Sequence, residues 1–600
     1  MLNLREFRPN AYRLADWLPL ACLVAPGVVL NKDGSFQRTI GYRGPDLDSG
    51  TESELMSVVS RVNNVLKRFG SGWALFFDAT RIPAIEYARS QFPDPVSWLV
   101  DEERREAFEG AWDDPSPAHE QHFESVLHLT LMYLPPAERV SWLEGLFLER
   151  PRATVRRSRH GQDKAAQQAK REEGSASGGS ADAVGAERSQ KAAGAPGHRD
   201  HLERFLQETD RAIDLLSSVL PEIWPLNDEE TLTYLHSCVS TKRHPVAVPK
   251  IPAYLDCFLC DEPLTGGLSP AIGRSHLRSL TVLGFPAVTF PGLLDELNRL
   301  GVAYRWATRF LPLDRTQANA TLSRYRRQWF AKRKSLAAIV KEVMFNEQAA
   351  LLDTNASNKA LDADAALSEL GDDLVSFGYV TTTVTVSDED SRAADDKIRA
   401  VERVINSRGF TTIRESVNAV EAWLSGLPGQ AYANIRQPIV HTLNLAHMCP
   451  LSAVWAGPER CEHLDGPPLL IAKTKGATPF RLSLHAGDVG HTIVVGPTGA
   501  GKSVLLSMLA LQFRRYPNAR QITFDKGRSA RTTTLAVSGA WYELGAEGGI
   551  ALQPLRDVAE EGARLWALDW LCGVLAHERV VVTPEVKETV VNLLRFSGHL

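Results

Sequence analysis

Hydrophobic and polar positions change period along the chain in a way that marks out two α+β regions. Residues 35–42 and 73–78 read as strands, and residues 52–68 between them as an amphipathic helix. Leu127, Leu129, Leu131 and Tyr133 alternate with His128, Thr130 and Met132, the period of two that belongs to a half-buried strand. Leu202, Phe205, Leu206, Ile213, Leu216 and Leu220 recur at helical spacing and predict a helix. A second strand–helix–strand pattern follows at 379–386, 392–407 and 411–414, which leaves open whether the two regions are related small α/β sandwiches. The apolar stretch 14–30 is interrupted by Asp16, Pro19 and Pro26. It falls short of the roughly 20 apolar residues that cross a bilayer, lacks the parts of a signal peptide, and predicts buried strands. No other stretch reads as a membrane span.

Between 156 and 199 large apolar side chains almost vanish, and Ala, Gly, Ser, Gln, Lys, Arg and Glu take over. Such a segment cannot bury enough surface to offset the entropy of ordering, and it reads as a disordered linker. Its basic front (Arg156, Arg157, Arg159, Lys164) fits a solvated linker better than a nucleic-acid or lipid contact. The domain plan is therefore an N-terminal α+β region at 1–155, the linker at 156–199, a second α+β part at 200–455 and a last domain at 456–600. Within the second part, Arg324, Arg326, Arg327, Lys332, Arg333 and Lys334 surround Tyr325, Trp329 and Phe330. That mixture suits a nucleic acid or a membrane surface. Its continuation into Leu336, Ile339 and Val340 at helical spacing favours a helix with one solvated face.

At 600 residues the chain has room for several cores. A net charge of −5 provides no overall attraction to nucleic acid or an anionic membrane, so any such contact is local. The seven cysteines are scattered and odd in number, which suits a reducing compartment. Cys257 and Cys260 form a C-x-x-C, but a lone pair falls short of the four ligands of a closed zinc site and reads as structural thiols.

The chemistry is concentrated in the last domain. Residues 491–503 read H-T-I-V-V-G-P-T-G-A-G-K-S, and Gly496, Gly501, Lys502 and Ser503 complete the phosphate-loop pattern G-x-x-x-x-G-K-[ST]. A strand-like run at 492–495 precedes the loop and an apolar helix at 504–513 follows it. Gly496, Pro497, Thr498, Gly499, Ala500, Gly501, Lys502 and Ser503 form the expected cradle. The glycines let backbone N–H groups turn inward on phosphate oxygens, and the helix N-terminus adds its positive dipole end. Lys502 supplies an ammonium for the β- and γ-phosphates, and the Ser503 hydroxyl is the expected Mg²⁺ ligand. ATP is preferred over GTP, although the loop alone does not discriminate. A second apolar run at 521–524 ends in Asp525, at the carboxyl end of an expected strand, where open α/β sheets bind ligands. Asp525 has two readings, a group that positions magnesium or the attacking water and a cap for the following turn. No apolar strand ending in acidic residues follows downstream. The segment around Asp569 is helical in character, and Thr583 with Pro584 starts another helix.

Over nearly its whole length the chain resembles the TrbE-type conjugal transfer ATPases, the CagE/TrbE/VirB family of type IV secretion. The segments that carry the resemblance are L-A-D-W-L-P-L-A-C-L-V-A-P-G-V-V-L-N-K-D-G-S from Leu14, T-L-T-Y-L-H from Thr231, R-R-Q-W-F-A-K-R-K-S around Trp329, N-A-V-E-A-W-L-S-G-L-P-G from Asn418, T-L-N-L-A-H from Thr442 and the loop from Gly496. Residues 1 to about 455 carry no catalytic motif and read as an interaction and docking region, and the resemblance implies that a RecA-like motor of the HerA/FtsK type follows, one that usually works as a hexamer with ATP and Mg²⁺. The resemblance also implies a cytoplasmic protein, peripheral at the inner face of the bacterial inner membrane, that energises pilus assembly and transfer of DNA or protein. The implied partners are other type IV secretion components, among them a small membrane anchor protein and the coupling protein.

By position, Lys502 and Asp525 are the catalytic candidates. The family's pattern continues past residue 600, through a helical insertion to an acidic strand and an arginine that reaches the neighbouring subunit, so the motor domain reads as incomplete at its C-terminus. Two rival readings follow. One is an assembly component that binds nucleotide or partners without turnover. The other is a DNA-translocating pump of the FtsK/coupling-protein class, a class that usually carries N-terminal membrane spans.

Overall fold

The computed structural model of the chain describes residues 13–113, 121–134, 198–251, 253–286, 288–332, 374–434, 436–544, 550 and 552–597. The expected linker at 156–199 lies outside the described residues up to 197, and so does the 333–340 end of the basic stretch.

The apolar N-terminal stretch forms a hairpin, β1 (Leu20–Ala25) and β2 (Val28–Asn31), as its interruptions predict. Gly27 makes the turn at φ +67°, and a Cβ there would sit 2.2 Å from the Leu226 carbonyl oxygen, so both conformation and space require glycine. Next come β3 (Phe36–Arg43), α1 (Glu52–Leu66), β4 (Trp73–Pro83), α2 (Pro95–Asp113) and β5 (Phe123–Tyr133). Helix α1 begins where Thr51 Oγ1 accepts the Glu54 N–H at 3.2 Å, and it buries Val58, Val59, Val62, Val65 and Leu66 on one face. Then follow α3 (His198–Ser217), β6 (Glu222–Pro225), α4 (Asp228–Val239), β7 (Leu264–Thr265), β8 (Ala271–Ile272) and β9 (Ser275–Gly284). The second region comprises β10 (Tyr304–Pro312), α5 (Arg315–Lys332), β11 (Phe377–Asp388), α6 (Ser391–Ser407), β12 (Thr411–Arg414), α7 (Ala419–Ser425), β13 (Ile439–His441) and α8 (Thr442–Met448).

The strands β1 to β13 share one sheet in the order β1-β2-β3-β5-β4-β10-β11-β9-β8-β7, with β6 on β3, β12 on β9 and β13 on β11. On either side of the antiparallel β4–β10 pairing the strands run first, third, second: β3-β5-β4 and β9-β11-β10. The two α/β patterns of the sequence are thus two halves of a single sheet, joined from Tyr304 opposite Arg81 to Phe310 opposite Leu75. Strand β5 departs from the half-buried expectation. Leu129 and Leu131 enter the main core with Val62, Trp306, Val380 and Ile398, whereas Met132 packs on the other face with Ala74, Phe76, Leu311 and Ala431. A central strand covered on both sides loses its polar face.

The chain divides into two compact units, residues 1–88 with 105–489 and residues 89–104 with 490–600. The sequence starts the last domain at 456. The hairpin β14 (Leu470–Lys473) and β15 (Pro479–Leu482) belongs instead with the first unit. Arg481 forms an ion pair with Glu124, the Phe123 N–H donates to the Ala477 carbonyl at 2.8 Å, and Arg81 donates to Thr478 Oγ1 at 3.2 Å.

The second unit contains α9 (Lys502–Phe513), α10 (Arg531–Ala536), α11 (Glu561–His577) and α12 (Pro584–Ser597). Helix α12 starts as expected, with Thr583 Oγ1 accepting the Val586 N–H at 3.4 Å and Pro584 in the first turn. Its small core joins Val558, Ala567, Val590 and Leu594. The strands expected at 492–495 and 521–524 are not formed: both runs are irregular, and Ile493, Val495, Ile522 and Phe524 are 81–94% exposed. An extended segment becomes a strand only when a neighbour completes its ladder, and among the described residues these two have none.

Candidate nucleotide-binding site

The loop between the 492–495 run and α9 has the backbone its glycines predict. Gly499 and Gly501 adopt φ of +83° and +87°, and a Cβ at either would meet nothing within 4 Å. Glycine is required there by conformation, because the left-handed region is costly for other residues. Gly501 occupies the N-cap of α9 without a side-chain cap, so the first N–H groups of a twelve-residue helix stay available at the loop. Lys502 Nζ reaches back across the loop and donates to the carbonyls of Gly496 and Pro497 at 2.9 and 2.7 Å. Its ammonium therefore stands beside the loop backbone in competition range of any phosphate bound there. Ser503 is exposed in the first turn of α9.

The second candidate segment packs against the same helix. Gln521 Nε2 donates to the Ala510 carbonyl at 2.6 Å, and Thr533 Oγ1 lies 2.9 Å from Ser507 Oγ. Asp525 takes up its own turn: Oδ1 accepts the Gly527 N–H at 2.9 Å, and Oδ2 accepts the Ala530 N–H at 2.8 Å and the Ser529 hydroxyl at 3.3 Å. Hydrogen bonds from the Ala530 and Gly527 backbone hold its carboxyl below the usual range. Of the two readings left open by the sequence, the cap is the one this geometry displays.

Sequence reasoning missed the residues that hold the far end of α9. Arg514 Nε donates to Asp94 Oδ2 at 2.6 Å, and Arg515 Nη2 to Asp101 Oδ1 at 2.5 Å. The Arg515 and Asp101 side chains are only 2% and 8% exposed, and the Arg515 guanidinium also lies 5.6 Å from the Phe92 ring centroid. These partners are more than 400 positions apart in the chain, so no local pattern announces them. The buried Arg515–Asp101 pair ties the C-terminal end of α9 to the 89–104 segment, and breaking one partner of such a pair is costly.

The first unit has a buried polar centre of a different kind. Asp78 Oδ2 accepts the Tyr234 hydroxyl at 2.9 Å and the Arg305 guanidinium at 2.8 and 2.6 Å. Burial pushes the neighbouring His128 down to about 4, so its ring stays neutral against Tyr234. The charges in this group are matched within the sheet, which makes it a structural network.

Comparison with known proteins places these features in context. Residues 27–140 match the model of the type IV secretion system ATPase VirB4/TrbE N-terminal domain, and residues 340–436 match that of the CagE, TrbE, VirB family, a component of type IV transporter systems. The chain is 35% identical to the conjugal transfer protein TrbE of Rhizobium radiobacter over 98% of its own length and 69% of that protein's. It is 22% identical to the type IV secretion system protein VirB4 of Brucella suis, covering 89% of this chain and 60% of that protein. The VirB4 protein of Bartonella henselae is 26% identical over 41% of the chain and 32% of its own.

Proposed function

Since the chain belongs to the TrbE/VirB4 family of type IV secretion ATPases, we propose that it binds Mg-ATP at Gly496–Ser503 and serves as a motor component of a conjugative transfer system. The observation that carries this reading is the loop itself: two left-handed glycines, an uncapped helix N-terminus and an ammonium held at the loop mouth. ATP with Mg²⁺ supplies the transferable phosphoryl group and the cation that neutralises its charge. The protein's part is positional. Gly499 and Gly501 aim the loop N–H groups, Pro497, Thr498 and Ala500 shape the turn, and Lys502 moves from the Gly496 and Pro497 carbonyls to the phosphates. The Ser503 hydroxyl would hold the cation.

In this reading the apolar runs 492–495 and 521–524, irregular and exposed here, belong to a RecA-like motor. The first unit acts as the docking region. The partners are further copies of the chain in a hexamer, the membrane anchor and coupling proteins of the secretion system, and through them the transferred DNA or protein. No helix among the described residues is long and apolar enough to cross a membrane, so the proposed place at the inner face of the inner membrane is peripheral and partner-borne.

Asp525 supports a second reading, binding without turnover, because both its carboxylate oxygens serve its own turn. One experiment separates the two: ATP hydrolysis and nucleotide binding by the 600-residue chain, beside Lys502→Ala. Turnover of at least several-fold over the variant supports the motor reading and makes Asp525 the next residue to test. Binding lost in Lys502→Ala, with no turnover in either protein, supports the second reading. Binding equal in both proteins removes the site.

A further inference from the structure

A group of side chains in the first unit, remote in sequence from the phosphate loop, has the composition and geometry of a metal centre. His236 lies in the last turn of α4, 4% exposed, with Nε2 3.4 Å from Asp261 Oδ1. The His244 ring stands 4.7 Å from the His236 ring, and one ligand atom from each of His236, His244 and Asp261 lies within 4.8 Å of the other two. We infer that these three residues bind a divalent transition-metal ion of the zinc type.

Three observations support the assignment. Two imidazoles and one carboxylate form a donor set suited to zinc and its neighbours, with a fourth position for water. The 3.4 Å between Nε2 and Oδ1 is long for a hydrogen bond, yet it matches the edge of about 3.4 Å of a tetrahedron with metal–ligand bonds near 2.1 Å. The groups around the ligands also hold them in the roles a metal requires. His244 Nδ1 lies 3.1 Å from the Pro245 carbonyl, which can only accept, so Nδ1 carries the proton and Nε2 keeps its lone pair. Lys242 Nζ takes Asp261 Oδ2 at 3.1 Å, leaving Oδ1 toward His236.

The segments that supply the ligands are tied together independently of any ion. Asn227 and Glu230 form a reciprocal cap that starts α4. Glu262 Oε2, next to Asp261, accepts the Thr241 N–H and hydroxyl, each at 2.7 Å. The Val246 N–H, beyond His244, donates to Thr233 Oγ1 of α4 at 2.9 Å. The His244 segment is therefore pinned on both sides of the ligand, and an ion there would staple two loops to the end of α4. Cys257 and Cys260, which the sequence reads as structural thiols, are not members of the group.

The test uses the tag-free full chain after chelator treatment, titrated with Zn²⁺ by calorimetry and with Co²⁺ by visible absorption. One ion per chain with tetrahedral Co²⁺ absorption is expected, weakened at least ~10-fold in His244→Ala and in Asp261→Asn. His244→Cys should retain it, and so should the double variant Cys257→Ser, Cys260→Ser. His244 is exposed, so its replacement leaves the fold intact for comparison. Uptake by His244→Ala equal to that of the unaltered chain overturns the assignment, as does uptake lost only in the cysteine double variant.

Discussion

The sheet unit and the phosphate-loop unit use the same kinds of residue to opposite ends. In the first, Ile40, Phe310 and Val380 are fully buried in strands that exchange backbone hydrogen bonds on both sides. In the second, Ile493, Ile522 and Phe524 are 85%, 83% and 94% exposed, in runs that form no ladder. Helix α9, between those two runs, forms although Val504 and Leu506 are 70% and 55% exposed. A helix satisfies its backbone within one segment, whereas a strand depends on another, and β-branched composition expresses a fit to neighbours more than a preference of its own.

The sharpest way to break this contrast is to make one substitution in both units. Phe310→Ala removes a fully buried ring and should cost about 3–5 kcal/mol, while Phe524→Ala should stay within about 0.5 kcal/mol. Urea unfolding of the full chain for the first, and hydrogen exchange along α9 for the second, measure the difference. Comparable losses at both positions would show that the 521–524 run is packed in solution.

A smaller loss is expected where the second unit is well anchored. Asp101→Ala leaves the buried Arg515 guanidinium without this carboxylate and should cost about 3 kcal/mol, read as faster hydrogen exchange across α9 and weaker nucleotide binding. Exchange unchanged at the C-terminal end of α9 would mean that the Arg515–Asp101 pair does not hold the helix.

The smallest effect per pH unit is a stability slope confined to the sheet unit. Burial pushes Asp295 up to about 7, against the opposing hydrogen bond from the Ser452 hydroxyl. Unfolded, an aspartate titrates near 3.9. The folded chain thus holds an extra proton between roughly pH 4 and 7, and this group's contribution to stability falls as pH rises through that window, by at most about 1.4 kcal/mol per pH unit. Asp295→Asn should flatten that part of the urea midpoint's dependence on pH. A slope identical in the variant would assign it to other groups.

Several elements could be placed from the sequence because their determinants are local. The apolar periodicity of α1 and α3, the alternation in β5, the Thr583–Pro584 start of α12 and the glycines of the phosphate loop each act within a few residues. The family, too, was legible, since its segments recur along the chain. The candidate site was legible only in its loop. Asp525 at the end of an apolar run does not reveal whether its oxygens face a ligand or its own turn, because that depends on the path of the next five residues.

What the sequence by itself determined is a subset of the helices (α1, α3, α6, α9 and α12 among them), the left-handed glycines Gly499 and Gly501 and the membership of the type IV secretion ATPase family. Tertiary structure alone decided that the two α/β patterns merge through β4 and β10, that β5 is covered on both faces, and that the β14–β15 hairpin joins the first unit. It also decided that Arg515 meets Asp101 and that two histidines meet Asp261. The physical reason is common to all of these. Local propensities are written in neighbouring residues, but strand partners, buried ion pairs and ligand clusters depend on which distant segments the folded chain brings within a few ångströms of one another.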